Sequence, residues 1–411
     1  MFISCESGRD VQHMESIKFH DPLIVKEQGR YYCFSTDTNV RGVQIAVSDD
    51  LLNWQLQAPA LPVSPVSVRA HVGETGYWAP KVVRVGGEWR LYCCASQFGK
   101  SQSVIGLAAS GTIGGPYTYR GDVLRTYHTG RYDAPNAIDP NVVTDRDGTA
   151  YLVYGSFFGG IYIARLREDG LLADSGYGTR IAGGEHRAVE GGYVLYDGCS
   201  DRFYLFVSYG SLRYDYNIRV ASSQQITGPY LDSEGKPMTD LDPVMSVGDK
   251  IAGGFNFDCP GHEGWMGPGH NSILSLAGGF YVVHHVRREG EARHSFLQLR
   301  KVFFAKELPQ IFISPVPYDG TEPRIPKRAE LEGQVSLIRH DKYNNGVTYG
   351  RKLPMDAVLA GYDERDGEIT IAAYGRCYIG TAFVQSDALF FTAIDKDGEC
   401  VWGLLMGRGR E

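Results

Sequence analysis

The amino-acid sequence predicts an all-β fold, a five-bladed β-propeller followed by a small C-terminal β-barrel or sandwich domain. The 411 residues include 51 Gly, 26 Tyr and 18 Phe, and 22% are charged. Glycine and aromatic residues in these amounts favour short strands and tight turns over helices. A strand pattern with a central tyrosine occurs five times, and a β unit repeated along the chain is typical of a propeller.

The repeat is clearest in the strand that carries the tyrosine. Successive copies are 60, 59, 53 and 77 residues apart, at Tyr32, Tyr92, Tyr151, Tyr204 and Tyr281. A strand with small residues follows in four units, over residues 44–48, 106–110, 160–164 and 218–222. Three units close at a turn or short strand, over residues 52–54, 115–117 and 228–230. With an opening strand, each unit has the three or four antiparallel strands of one blade.

The predicted domain boundary lies at a proline-rich stretch that ends the last blade, residues 314–323. The propeller is assigned to residues 1–320 and a C-terminal β domain to residues 321–411. Strand-like runs separated by Gly-containing turns cover residues 334–338, 357–360, 368–372, 381–384 and 388–392. The second domain has no cluster of side chains typical of catalysis.

The charge of the chain excludes several classes of partner. A formal net charge of -7 and a pI near 5.9 give no basic surface for nucleic acid or anionic lipid, so an uncharged ligand fits better. The eight cysteines lack metal-binding spacing and are predicted to be reduced thiols. The first residues show no leader and no long apolar run occurs, so we expect a cytoplasmic protein, or an extracellular one if a leader has been removed. No oligomeric state is predicted.

Three acidic residues stand where blades begin, Asp21, Asp139 and Glu190. Each is flanked by apolar residues, where a carboxylate is costly to desolvate. The first strand of a blade lines the central channel, so acids 118 and 51 residues apart can meet at the axis. Taken singly, an Asp-Pro pair is also explained as the start of a strand, and Glu190 as a loop acid. Together the three predict a sugar-cleaving active site.

Other blade openings carry residues suited to binding a sugar. Blade two opens with Tyr77 and Trp78, whose aromatic faces suit the apolar C–H surface of a sugar ring. Core packing of Trp78 is the alternative. Asn136 and Ser156 are candidates for hydrogen bonds to hydroxyl groups, and Phe157 is a weaker candidate for stacking.

The motifs of the first 320 residues, taken in order, resemble glycoside hydrolase family 43, and within it the endo-α-1,5-L-arabinanases of the longer type with a C-terminal β domain. Any one of the motifs is weak, but the ordered set is specific. The motifs are His20-Asp21-Pro22, Tyr77-Trp78-Ala79-Pro80, Asn136-Ala137-Ile138-Asp139-Pro140, Asp147-Gly148 with residues 151–157, Glu190-Gly191 and Gly269-His270-Asn271-Ser272.

The resemblance implies an inverting hydrolase of α-1,5-linked L-arabinofuranosyl chains, either arabinan or arabino-oligosaccharides. Glu190 would be the general acid, Asp21 the general base, and Asp139 the carboxylate that raises the pKa of the acid and orients it. His270 would contact a calcium ion near the propeller axis, whose other ligands are mostly water. A structural hydrogen bond is the alternative for His270. No organic cofactor is expected.

The sequence departs from the family's pattern at two places. Gly191-Gly192 follow the acid where relatives usually have Ala-Pro, and Lys81 follows Pro80 where they have an acidic residue. The glycines are expected to alter the aim of the acid. Lys81 is expected near the rim of the site, where it would change subsite preference. His284 and His285 are predicted to be structural.

Three alternative functions stay open. An exo-acting α-L-arabinofuranosidase or β-xylosidase of the same family would have a pocket closed by loops, whereas an endo enzyme has an open groove. The long insert between Tyr209 and Gly269 suits either. A non-catalytic carbohydrate-binding propeller would use the acids only as hydroxyl acceptors. A retaining fructan hydrolase would differ in the stereochemistry of its product.

Overall fold

A computed structural model describes residues 17–36, 42–62, 64–241, 247–306 and 308–406. Nearly all regular structure in these ranges is β-strand, which confirms the predicted all-β class. The helices found there are short, namely α1 (Val66–Val72), α2 (Met355–Val358) and a 3-10 helix (Arg328–Glu330). None of the helices in the described ranges is long and apolar enough to cross a membrane.

The first four blades are four-stranded antiparallel sheets whose strands follow chain order. All the predicted tyrosine strands and small-residue strands of these blades are present, with bounds that differ by up to three residues. The strands are β1 (Leu23–Glu27), β2 (Arg30–Ser35), β3 (Gln44–Ser48) and β4 (Gln55–Leu56); β5 (Trp78–Val85), β6 (Glu88–Ser96), β7 (Ser103–Ser110) and β8 (Thr118–Thr126); β9 (Asn141–Thr144), β10 (Ala150–Tyr154), β11 (Ile161–Arg165) and β12 (Thr179–Ala182); and β13 (Val189–Asp197), β14 (Arg202–Tyr209), β15 (Asn217–Ser223) and β16 (Asp249–Ala252).

The fifth blade receives a strand from the far side of the predicted domain boundary. Its antiparallel strands are β17 (Phe255–Asn256), β18 (Trp265–Leu276), β19 (Gly279–Arg288), β20 (Phe296–Phe304) and β21 (Ile311–Ile313). The short strand β23 (Thr348–Tyr349) pairs in parallel with β17 at the edge of this sheet. The C-terminal segment therefore shares backbone hydrogen bonding with the propeller.

The innermost strands of the five blades, β1, β5, β9, β13 and β18, adjoin one another in a closed ring. Their leading ends therefore face a common axis. Bulges interrupt β5 between Trp78 and Lys81, β13 between Glu190 and Tyr193, and β18 between residues 266 and 272. A bulge changes the face on which the following side chains lie.

The C-terminal domain is a curled sheet of seven strands in the order β24-β22-β29-β28-β27-β26-β25. Its strands are β22 (Gln334–His340), β24 (Arg351–Pro354), β25 (Leu359–Tyr362), β26 (Glu368–Ala373), β27 (Arg376–Gln385), β28 (Ala388–Ile394) and β29 (Cys400–Met406). The strand predicted over 357–360 was wrong in its first half, because α2 occupies that position and buries Met355 and Val358 against the sheet.

The C-terminal sheet and blades four and five share one hydrophobic core. Trp402 of β29 is fully buried at its centre. The ring of Phe255 meets its indole edge-on at 5.1 Å, and the guanidinium of Arg300 lies 5.2 Å from its centroid. Trp402 therefore contributes to the core that joins the two parts of the molecule.

We expect Trp402→Ala to lower the free energy of unfolding by about 3–5 kcal/mol, because it removes a large buried side chain from a core that cannot collapse fully. Urea denaturation of the variant measures this loss. Tyr343→Ala is the control, since Tyr343 is 67% exposed and its loss is expected to cost at most about 0.5 kcal/mol. Equal effects of the two substitutions would show that the shared core does not stabilise the protein.

Candidate active site

The structure brings the three predicted carboxyl groups together at the propeller axis. Asp21 and Asp139 precede β1 and β9, and Glu190 is the second residue of β13. Asp21, Asp139 and the glycine after Glu190 line one axial cavity together with His270 of β18. Asp21 and Asp139 have φ angles of 51° and 58°, a left-handed backbone that turns each carboxyl group at the start of its strand.

Asp21 is held in the ionised form. Its Oδ2 accepts a hydrogen bond from the hydroxyl of Thr36 at 2.5 Å, and its Oδ1 lies 3.2 Å from Nδ1 of His270. Burial alone would raise the pKa of this carboxyl group. The neighbouring His20 and His270, together with the hydrogen bond from Thr36, outweigh burial and lower the pKa below its usual value.

Glu190 is fixed by two hydroxyl donors. Tyr216 donates to Oε1 at 2.8 Å, and Ser156 donates to Oε2 at 2.9 Å. Burial raises the pKa of Glu190, and the negative charge of Asp21 adds to the effect, while His270 and the two hydroxyl groups oppose it. The net direction is upward, which favours the protonated carboxyl group needed in a general acid.

Asp139 interacts electrostatically with both Glu190 and Asp21. Its Oδ2 accepts the backbone N–H of Gly191 at 3.2 Å, which ties it to the residue beside the acid. Burial raises the pKa of Asp139, and the charges of Glu190 and Asp21 raise it further, against the effect of His270. Because the pKa values of both Asp139 and Glu190 are raised, this pair retains a proton at a higher pH than free carboxylic acids do.

Glycine at position 191 is required by the shape of the site. Its φ is +64°, and an added Cβ would lie 3.3 Å from atoms of His270. The N–H that it donates to Asp139 needs this backbone turn. Gly191 therefore fits closely between the acid and His270 in the structure, and its effect on the aim of the acid stays a prediction.

Two further histidines surround the base. His285, predicted to be structural, accepts the backbone N–H of Asp21 at Nδ1, at 3.2 Å. His20 has its Nδ1 3.6 Å from Oδ1 of Asp21, and its ring lies 4.4 Å from that of His285. Burial lowers the pKa of both imidazoles, and for His20 the charge of Asp21 opposes that effect. His284 makes no contact with the carboxyl groups, and its Nδ1 lies 2.9 Å from the carbonyl oxygen of His285.

Trp78 and Phe157 are exposed enough for their rings to stack on a sugar. Both side chains are half-buried. Trp78 opens β5 beside the axial cavity, and Phe157 lies 5.8 Å from the ring of His186. The ring of Tyr132 stacks on the ring of His186, with their centres 4.3 Å apart, and Tyr132 is 48% exposed. The rings of Phe157, His186 and Tyr132 extend the surface on which a sugar could stack toward blade three.

The other sugar-binding candidates, Tyr77, Asn136 and Ser156, are buried. Tyr77 is only 2% exposed and packs in the core of blades one and two, so its ring is not available for stacking. Ser156 donates its hydroxyl to Glu190. Asn136 is buried, and its Oδ1 accepts the hydroxyl of Ser103 at 2.5 Å. These two polar side chains are thus engaged within the protein.

Tyr216 and Thr36 hydrogen-bond to the predicted catalytic carboxyl groups, and the sequence did not indicate either residue. Tyr216 follows the loop after β14, and Thr36 follows β2, so both come from outside the blade openings. Thr36 accepts the backbone N–H of Ala79 at 2.9 Å while it donates to Asp21, which links blades one and two at the base. No motif marks either residue, because their roles arise from contacts between separate blades.

We expect Tyr216→Phe to shift the alkaline limb of the kcat pH profile to higher pH. The hydroxyl of Tyr216 stabilises the ionised carboxylate and so lowers the pKa of Glu190. Without it the acid stays protonated to higher pH, while kcat at the optimum falls roughly tenfold because the carboxyl group is less well held. The neighbouring Tyr214, 62% exposed, provides the control Tyr214→Phe. A limb that stays in place or moves to lower pH contradicts this role.

The axial residues fit the predicted calcium ion poorly. Calcium takes six to eight oxygen ligands, whereas the cavity beside His270 measures about 30 Å³ and is also lined by Lys81. Lys81 is 7% exposed, so its predicted place near the rim was wrong. His20, Asp21 and His285 bring three potential ligand atoms within 4.8 Å of one another, but two of the three are imidazole nitrogens, whereas calcium takes oxygen ligands. Ligation by His270 stays a prediction, and no step below uses a metal.

A β-propeller that brings carboxyl groups together at its axis, with the pKa of Asp21 lowered and that of Glu190 raised, has the pair of unlike carboxyl groups that glycoside hydrolysis uses. The fold and the site are those of a glycoside hydrolase.

Comparison with known proteins gives the family. The sequence model described as "Glycosyl hydrolases family 43" matches residues 16–306. The extracellular endo-α-(1→5)-L-arabinanase of Thermotoga petrophila is 32% identical over 94% of this chain and 93% of its own length. Extracellular endo-α-(1→5)-L-arabinanase 2 of Bacillus subtilis is 29% identical over 95% and 93%. The solved structure of the glycoside hydrolase family 43 YxiA protein from Bacillus licheniformis has a TM-score of 0.87 at 27% identity and covers 95% of this chain and 99% of its own.

The chain belongs to glycoside hydrolase family 43. The predicted resemblance is thereby confirmed over the whole propeller. Both relatives are named extracellular, which gives no support to the cytoplasmic location expected from the first residues.

Proposed function

We propose that the protein hydrolyses α-1,5-linked L-arabinofuranosyl chains at internal bonds, with inversion at the anomeric carbon. The observation that carries the proposal is that two carboxyl groups at one axial site have unlike surroundings. Asp21 lies beside Thr36 and His270, and Glu190 is held by Tyr216 and Ser156. These surroundings agree with a lowered pKa of Asp21 and a raised pKa of Glu190. An inverting glycosidase needs this division between a base and an acid. The arabinan substrate is proposed from the likeness to the Thermotoga and Bacillus enzymes.

Glu190 donates its proton to the glycosidic oxygen as the bond to the leaving sugar breaks. Asp21 accepts a proton from a water molecule that attacks the anomeric carbon from the opposite face, which inverts its configuration. After the step Asp21 is protonated and Glu190 is ionised, and exchange with solvent restores both groups. No organic cofactor takes part in this scheme.

Asp139 acts through Glu190 in this scheme. Its negative charge, when present, disfavours ionisation of the acid, and its hydrogen bond to Gly191 fixes the backbone beside it. Tyr216 and Ser156 hold the two oxygens of the acid from different sides. These three residues position the acid, and the proton itself comes from Glu190.

Contacts of the long insert favour an open groove and therefore endo action. The part of the insert before β18 packs on the C-terminal domain, where Ser336 donates its hydroxyl to the carbonyl of Phe257 at 2.5 Å. The ring of His262 lies 6.0 Å from that of Phe390 of β28. This segment therefore braces the two domains, and we take that role to support an open groove. Asp242 and Pro243 of the same insert lie outside the described residues.

Product analysis by chromatography tests the proposal. We expect wild type to release mixed short oligosaccharides from linear α-1,5-arabinan, and Glu190→Gln to release almost none. Arabinose alone, or xylose from an aryl xyloside, would replace the proposal by an exo-acting enzyme of the family. A folded wild-type protein that binds arabinan without cleaving it would indicate a binding propeller. By likeness to the same relatives, we propose that the enzyme acts outside the cell.

A further inference from the structure

Lys81 places an amino group inside the propeller, in the wall of the axial cavity. It follows the bulge in β5, its side chain is 7% exposed, and it shares a cavity with Asp21, Asp139 and His270. A buried ammonium group is costly unless other groups compensate its charge.

The Lys81 amino group contacts an uncharged side chain. Its Nζ lies 3.2 Å from the hydroxyl of Tyr193 and 4.5 Å from the centre of that ring, a hydrogen bond and a cation–π contact. Among the described residues it forms no ion pair with a carboxylate. The carboxyl groups that line the same cavity are those of Asp21 and Asp139.

The space beside Lys81 is too small for a hydrated metal ion. The cavity measures about 30 Å³, and one buried water needs about 10–15 Å³ by the same kind of measure, so roughly two waters fit. A calcium ion held mainly by water needs most of its six to eight ligands as water. The available volume falls well short of that requirement.

The amide groups of the cavity wall also suit water better than a cation. Asn271 has both side-chain polar atoms buried without a hydrogen-bond partner, and Asn141 has its Nδ2 in the same condition. Both residues line the cavity. A water molecule can donate to the amide oxygen and accept from the two NH₂ groups, whereas a metal ion cannot satisfy an N–H donor.

We propose that the ammonium group of Lys81 takes the place of a metal ion in the axial cavity, so that this enzyme folds and works without calcium. A divalent cation placed there would be repelled by the ammonium group and would find few oxygen ligands. Lys81 thereby places an ammonium group in the cavity that Asp21 and Asp139 also line. The inference concerns ion binding and holds whichever glycan the site accepts.

The test combines metal content with thermal unfolding. Wild-type protein is dialysed against a chelator and then against metal-free buffer, and calcium is counted by elemental analysis before and after addition of CaCl₂. We expect less than about 0.1 bound calcium per chain and the same melting temperature in chelator and in CaCl₂, since a ligand that does not bind the folded state cannot stabilise it. About one calcium per chain, with a higher melting temperature in CaCl₂, would overturn the proposal.

Variants at position 81 separate charge from shape. Lys81→Asp replaces the ammonium by an oxygen ligand, and we expect it to gain calcium-dependent stability, with a melting temperature roughly 4 °C higher in saturating CaCl₂ than in chelator. Lys81→Met keeps the length without the charge and is expected to lower the melting temperature without a response to calcium. Lys100→Asp, at an exposed turn, is the control with the same change in net charge. If Lys81→Asp does not fold, the wild-type measurement alone decides the question.

Discussion

Glu190→Gln is expected to lower kcat on linear α-1,5-arabinan roughly 10²- to 10⁴-fold, the range of a lost general acid. Glutamine cannot release a proton to the glycosidic oxygen. It retains the size of glutamate and an oxygen that accepts a hydrogen bond from Tyr216 or Ser156, so the fold should persist. Initial rates from reducing-sugar release measure the loss, and thermal unfolding checks the structure.

The leaving group separates an acid from a residue that merely positions the substrate. A dinitrophenyl arabinofuranoside leaves without protonation, so Glu190→Gln should lose far less activity on it than on arabinan. Glu88→Gln on the outer part of blade two, 40% exposed, is the matched control and should leave both rates unchanged. Equal losses of Glu190→Gln on the two substrates would remove Glu190 from the role of acid.

Asp21→Asn is expected to lower kcat by a similar factor, roughly 10²- to 10⁴-fold, on every substrate. An amide cannot take a proton from the attacking water, whatever the leaving group. The hydrogen bond from Thr36 can be kept by the amide oxygen, so the loss should be chemical and not structural. Rates on arabinan and on the dinitrophenyl substrate should therefore fall together, in contrast to Glu190→Gln.

An added anion provides the second test of Asp21. Azide attacks without giving up a proton, so it should restore turnover of Asp21→Asn on the dinitrophenyl substrate and form a glycosyl azide. Asp49→Asn is the control, because Asp49 is 76% exposed and pairs with Arg30 at the surface. Full activity of Asp21→Asn in water, with no effect of azide, would show that another group activates the water.

The propeller was predictable from the sequence because its blades repeat one local pattern. Each tyrosine strand is a short, largely apolar run that is buried on both faces, and this run recurs in β2, β6, β10, β14 and β19. The convergence of Asp21, Asp139 and Glu190 followed from the same register, since each opens an innermost strand. Strand β23 was missed because its pairing with β17 is non-local and only two residues long.

The direction of individual side chains was less predictable, because bulges break the alternation of the innermost strands. Beyond the bulge in β5, Lys81 turns into the axial cavity, although its place after Pro80 suggested the rim. Tyr77, just before β5, turns into the core between blades one and two. A one-residue change in register moves a side chain to the opposite face, and the sequence does not mark where that happens.

Contacts between blades account for the remaining differences between the predicted site and the observed site. Ser156 and Tyr216 come from blades three and four and meet at the two oxygens of Glu190. His285 meets the backbone of Asp21 from a position 264 residues away. Such contacts depend on how the blades pack, which local patterns do not encode.

Proton NMR of the first products from linear α-1,5-arabinan tests inverting catalysis by Glu190 and Asp21 most directly. The spectrum recorded within the first minutes, before mutarotation, should show new reducing ends in the β configuration, and none of this signal should appear with Glu190→Gln or Asp21→Asn. Reducing ends that appear first in the α configuration, or undiminished signal in either variant, would contradict the assignment of these two residues.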